Sequence, residues 1–305
     1  MQSESIPFCK AHLLAKASKP VTDLLDEVGL LTLTTFPTAS QLNDLARVFQ
    51  QEWDGPIFKG QSTFSEDESR YYETIIGEDN VVPTRENNWH DLFNALIWLQ
   101  FPKSKRYLNK LHIDDIRLHG VSPRTARRNR ITHFDECGVV LAVETPVQED
   151  SAAQTVIEHW LSDLAHHKWQ QAFIQDLAIY EQHITPFMFG HANLEMMLNP
   201  FIGLTGKWLA VSVPFGFSKM TPWEQRARVD DALLLRFAEL EDFELSPILK
   251  LVPLLGIPGW HDVQTQSFYD DTSYFRPLRE NAKPTVALPL WGKERNKERD
   301  KKTSS

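Results

Sequence analysis

Three stretches of this 305-residue chain set histidines beside carboxylates at spacings that suit proton transfer or metal binding. The first is Trp89-His90-Asp91-Leu92-Phe93-Asn94. On a helix His90 and Asn94 stand one turn apart on one face, placed either to hold a ligand or metal or to satisfy one another in a core. The second is Thr132-His133-Phe134-Asp135-Glu136-Cys137-Gly138. Adjacent acids at a tight turn serve as metal ligands or as general acid and base, although Asp is common in turns simply because it caps local N–H groups. Cys137 is a poor nucleophile, since its acidic neighbours raise the thiol pKa. The third is Phe189-Gly190-His191-Ala192-Asn193-Leu194-Glu195. His191 and Glu195 have the i,i+4 spacing of a shared metal site, a His–carboxylate pair or a plain surface ion pair. Gly190 would let a second backbone approach closely.

Charge supplies a fourth feature. The chain holds 32 Lys+Arg and 41 Asp+Glu, a net −9. Between Phe101 and Arg130 nine basic residues, Lys105, Arg127 and Arg130 among them, face only Asp114 and Asp115, a local +7. Such a segment binds phosphate or nucleic acid, meets the acidic remainder of its own molecule, or is solvated.

Bulk composition and failed motifs narrow the class. With 42% hydrophobic and 24% charged residues the chain is neither mainly disordered nor collagen-like. Its two cysteines, Cys9 and Cys137, have no paired spacing, which fits a reducing cytoplasm. No secretory leader is expected from the first twenty residues, and the longest apolar run, Ile248 to Trp260, is too short and broken to span a bilayer. There is no G-x-G-x-x-G, G-x-S-x-G or H-E-x-x-H. Gly203-Leu204-Thr205-Gly206-Lys207 fails as a phosphate loop, with Trp208 at the position that needs a hydroxyl.

The positioning elements follow from periodicity. Helices are expected over Gln41–Glu52 with Ser40 as N-cap, over Glu66–Ile76 ending at Gly77, and from an Asn88 cap to Gln100. Pro102 starts another, Ser151–Glu181 is helical with a break near His166-His167, and Phe187–Leu198 is helical. Pro222–Leu240 follows a Thr221 cap. Ile131–Phe134 and Val139–Val143 read as a hairpin whose turn leaves Gly138 free to take positive φ, and Lys207–Val213 as a strand. After Pro253 the aromatic content predicts an ordered, irregular tail. The expected fold is mainly α (α+β): a flexible arm over 1–20, a single helical domain over 21–291 with a small β-hairpin, and a disordered charged tail over 292–305.

Read in order, Asn88 to Trp98, Phe101-Pro102 with Lys105, Thr132 with Phe134-Asp135-Glu136 and Gly138, and Phe189-Gly190-His191-Ala192 with Glu195 resemble an uncharacterised bacterial family, domain of unknown function 3025. The resemblance continues through Leu255 to Trp260, Phe268-Tyr269-Asp270-Asp271 and Phe275-Arg276-Pro277, spanning roughly Leu24 to Arg279. It implies a single-domain bacterial cytoplasmic protein and assigns no reaction and no catalytic residue.

Two functional expectations stand side by side. In the first, His90, Asp91, Asp135, Glu136, His191 and Glu195 converge on a divalent metal such as zinc or manganese, with Asn94, Lys105, Arg127 and Arg130 holding an anionic substrate, phosphoesters included, for hydrolysis. In the second, the same residues form a polar network that specifies the fold, and the basic segment binds an anionic ligand, nucleic acid or protein partner without chemistry.

Overall fold

A computed structural model describes residues 6–49, 53–146, 151–245, 248–282 and 289–291. In chain order the elements are α1 (Lys10–Lys16), α2 (Lys19–Glu27), α3 (Ala39–Phe49), β1 (Ile57–Gly60), α4 (Tyr72–Asp79), β2 (Val81–Thr84), α5 (Trp89–Gln100), α6 (Pro102–His119) and α7 (Ala126–Cys137). They continue with β3 (Gly138–Glu144), α8 (Ser151–Ala165), α9 (Leu177–His183), β4 (Ile184–Met188), α10 (His191–Met196), β5 (Thr205–Val213), α11 (Pro222–Glu239), β6 (Lys250–Pro253) and α12 (Gln266–Tyr269). The fold is α+β. Four strands form a mixed sheet in the order β4-β3-β5-β6, and β1 pairs in parallel with β2. Strand β3 is antiparallel to β4 and parallel to β5, and its residues Gly138 to Val143 are buried.

Where local hydrogen bonds carry the signal, expectation and structure agree. The Asn88 side chain accepts from the Asp91 N–H at 2.9 Å and starts α5, whose residues from Leu92 to Gln100 are all buried. Phe101 ends α5 and Pro102 opens α6. Thr221 and Glu224 form a complete capping box at the head of α11. Helix α6 is capped from a distance: Asp230 of α11 accepts from the backbone N–H groups of Lys103 and Ser104 at 2.9 and 2.8 Å.

Several expectations need correction. The hairpin is absent, because Ile131–Phe134 belongs to α7. Arg128, Ile131 and Phe134 are buried at helical spacing, and a charged residue in the first of those core positions masks the period. The Arg128 guanidinium is fully buried because the Gly120 and Val121 carbonyls accept from it. Gly138 accordingly starts a strand with φ −69° instead of making a turn. The helix expected over Phe187–Leu198 is divided: Ile184–Met188 pairs with β3, and α10 begins only at His191. Helix α4 runs past Gly77, where a Cβ would lie 1.9 Å from Ile113 Cδ1 of α6, and ends at Asn80 in the left-handed region (φ 53°). Helix α3 begins at Ala39, with Thr38 and Gln41 exchanging capping bonds, so Ser40 is not its cap; residues 50–52 lie outside the described residues.

The N-terminal stretch read as a loose arm carries α1 and packs inward: Phe8 stacks on Trp89 at 4.9 Å and Leu13 is buried. The break near His166-His167 is present, followed by a π-helical turn over Gln171–Gln175. Past Pro253 the chain is ordered as expected, with Leu254, Leu255, Ile257, Trp260, Tyr269, Tyr274 and Phe275 buried. Buried apolar side chains from Phe8 to Phe275 form one connected cluster. The charged tail over 292–305 lies outside the described residues. No helix among the described residues is long and apolar enough to cross a membrane.

Candidate active site

The three polar stretches meet at one end of the mixed sheet. Helix α7 runs directly into β3, and β4 leads through Phe189 and Gly190 into α10, so the end of α7 and the start of α10 lie side by side. Gly190 permits this: a Cβ there would stand 2.5 Å from the Glu136 carbonyl oxygen and 2.6 Å from Cys137 Cα. The N–H groups of Phe189 and Gly190 both donate to the Gly138 carbonyl. Helix α10 packs on α5 and brings His191 beside His90.

A cavity of about 350 Å³ opens here, lined by His90, Asp91, Asn94, Asp135, Glu136 and His191. All six are sequence-predicted site residues. The lining also includes Tyr72 and Glu73 of α4, Arg85 after β2, His112 of α6, and Arg124 and Thr132 around α7. Thr132 opens the second polar stretch, whereas Tyr72, Glu73, Arg85 and His112 were not singled out from sequence for this role. Arg124 belongs to the basic segment, and His112 lies seven residues from Lys105 on α6, two helical turns along the same face.

The two histidines differ in surroundings. Their rings meet edge to face with centroids 4.6 Å apart. His90 Nδ1 lies 3.0 Å from Glu195 Oε2, and that hydrogen bond raises the His90 pKa above 6.5 despite partial burial. His191 is buried, and burial lowers its pKa to about 4 even though the Asp135 carboxylate opposes the shift. Its Nδ1 is 2.8 Å from the Asp135 backbone carbonyl, which accepts a hydrogen bond from the Nδ1–H of the neutral ring and leaves Nε2 as the basic nitrogen. The i,i+4 pair expected between His191 and Glu195 is therefore split, each residue bonding across to another helix.

The carboxylates are held by cations. Asp91 accepts from Arg85 Nη2 at 2.7 Å, Nε at 3.1 Å and its backbone N–H at 2.6 Å. Asp135 accepts from Lys105 Nζ at 2.5 Å beneath the cavity, where Lys105 also donates to Asn94 at 3.0 Å. Burial works against the Asp135 charge, but Lys105 and His191 outweigh it and its pKa falls. Asn94 in turn donates to the Tyr72 hydroxyl at 2.8 Å. The expected His90–Asn94 partnership is thus replaced by bonds to Glu195 and Tyr72. Burial, then Glu136, pushes the Cys137 thiol up, consistent with its dismissal as a nucleophile.

Two expectations fail on geometry. Arg127 and Arg130 point away from the cavity: the Asp242 carbonyl accepts from Arg127 Nε at 2.8 Å and the Phe243 carbonyl from Arg130 Nε at 2.7 Å. They hold the loop after α11, in which Glu241, Asp242 and Phe243 have positive φ. The zinc or manganese centre does not fit the donors. No three His, Cys, Asp or Glu side chains among the described residues converge on one point, and Asp91, Asp135 and Glu195 are already bonded to Arg85, Lys105 and His90.

The family model described as "Protein of unknown function (DUF3025)" matches residues 57–279. The chain belongs to this family. The matched span contains all the DUF3025 cavity residues named above, but not α1–α3. No curated protein and no solved structure matches this DUF3025 chain.

Proposed function

We propose that this chain is an acid–base hydrolase for a small substrate carrying an anionic group, a phosphoester or carboxylate among them, working as a single cytoplasmic domain. The observation that supports it most is the pair of touching histidines whose environments drive their pKa values apart, the arrangement by which one imidazole serves as acid and the other as base. His191, neutral above about pH 4, accepts a proton at Nε2 from the attacking water. His90, whose protonated form the Glu195 hydrogen bond favours, donates a proton from Nε2 to the leaving atom. Arg85 and Arg124 at the rim hold the anionic end, and Tyr72 and Asn94 orient the body of the substrate.

Histidine titration by NMR tests the assignment without a substrate. His191 is expected to titrate near 4 and His90 above 6.5. Two ordinary titrations near 6.5 would overturn it. With a chromogenic phosphodiester or carboxylate-bearing ester, the rate should fall on the acid side as His191 protonates and on the alkaline side as His90 deprotonates. His191→Ala should lower turnover by about 10²–10⁴-fold. The non-catalytic reading predicts ligand binding with no turnover on either ester.

A further inference from the structure

The charges lining the cavity are unequally satisfied. Arg85 is paired with Asp91 and Asp135 with Lys105. Three lining charges have no ion-pair partner among the described residues: Glu73, which accepts from the Asn109 amide at 2.7 Å, and two at the ends of α7. Arg124 donates to the Tyr71 hydroxyl at 2.7 Å and has no carboxylate partner among the described residues. Glu136 has neither a hydrogen bond nor an ion pair among them, although it is partly buried beside the histidines. These unanswered charges, of opposite sign, stand at opposite ends of α7. Arg124 precedes its first residue and Glu136 is next to its last, so the helical rise between the ends is about 15 Å.

An independent observation also points to a ligand. His112 lines the same cavity and is only 5% exposed, yet its buried Nδ1 has no hydrogen-bond partner among the described residues. A buried ring nitrogen without a partner is costly unless something else supplies the bond. Thr132, Tyr72 and Asn94 add further polar groups to the lining of the same cavity.

We propose that the cavity takes an elongated zwitterion, its anionic end at Arg124 and its ammonium end at Glu136, beside His90 and His191. The inference rests on the cavity being the substrate site and narrows the substrate from an anion to a molecule charged at both ends. A segment of three to four peptide residues spans roughly 10–14 Å when extended, which matches the separation once the side chains reach inward.

The test is a binding titration followed by NMR on the full chain with glycine peptides of two to five residues. Each is compared with its N-acetylated and its C-terminally amidated form, and with an ω-amino acid of similar length. Removing either charge should weaken binding about tenfold, the value of one moderately desolvated ion pair. Glu136→Gln should erase the preference for a free amine, and Arg124→Gln the preference for a free carboxylate. Tight binding of the ω-amino acid supports the proposal by assigning recognition to the two charges alone. The proposal is overturned if no peptide in the series shifts cavity resonances at millimolar concentration, or if blocked and free forms bind equally to the unsubstituted protein. The histidine titrations keep the two readings apart. Ordinary titrations with charge-selective binding remove only the acid–base mechanism, whereas perturbed titrations without selectivity remove only the zwitterion.

Discussion

The two sides of α7 carry comparable charge and do different things with it. On the outer side Arg127 and Arg130 are bonded to carbonyls of the loop over Asp242–Glu244, and Arg127 also lies 3.2 Å from Glu244. On the inner side Thr132, Asp135 and Glu136 face a cavity, with Asp135 tied to Lys105 and Glu136 without a partner among the described residues. Charge answered by the protein's own groups holds the fold, whereas charge left unanswered in a cavity is available to a ligand. Three more residues of the basic segment repeat the outer pattern: Lys103 meets Asp231, Arg106 meets Asp54 and Lys110 meets Asp114. Much of the local +7 is thus met by carboxylates within the molecule.

Substitutions that strike one side and spare the other would sharpen or break this contrast. The largest effect is expected from Lys105→Met, which leaves the Asp135 carboxylate without its cation. Chemical denaturation should show a loss of about 3–5 kcal/mol, as when one partner of a buried pair is removed. A loss no larger than that of an exposed pair would mean that water already screens Asp135 from below.

Gly190→Ala comes next. Its new methyl would collide with the backbone of Glu136 and Cys137, so about 1–3 kcal/mol should be lost and the His90–His191 contact displaced. NMR would then show the His191 titration moving back toward 6.5 as its burial is relieved. An unchanged titration would show that α10 is seated by other contacts.

Arg130→Ala should have the smallest effect. Its bonds to the Phe243 and Glu244 carbonyls are half-exposed, and losing them should cost about 0.5–1.5 kcal/mol. Both histidine titrations and peptide binding should stay as they were. A change in either would join the two sides of α7 functionally and end the distinction drawn between them.

Much of this was legible in order along the chain. The Asn88 cap of α5 and the Thr221–Glu224 box of α11 are local hydrogen-bond patterns that need only neighbouring residues. The residue types of the three polar stretches also identified one wall of the cavity before any geometry. What escaped was whatever depended on a distant partner. Strand β4 is a short apolar run that reads equally as helix until β3 pairs with it. Arg128 looks like a surface cation until the Gly120 and Val121 carbonyls take up its charge in the core.

The sequence alone therefore determined the inventory: the helices with local caps, which residues carry titratable groups, and that these cluster in three places. Only the tertiary structure decided their roles, because a charged or titratable group is set by what lies across from it. His90 and His191 are the same residue type, but Glu195 favours the charged form of one and burial the neutral form of the other. Arg127 and Arg130 were expected to grip a ligand together, and instead they bond to the chain's own carbonyls. Arg124, only three residues before Arg127, was left at the rim of the cavity without an acidic partner among the described residues.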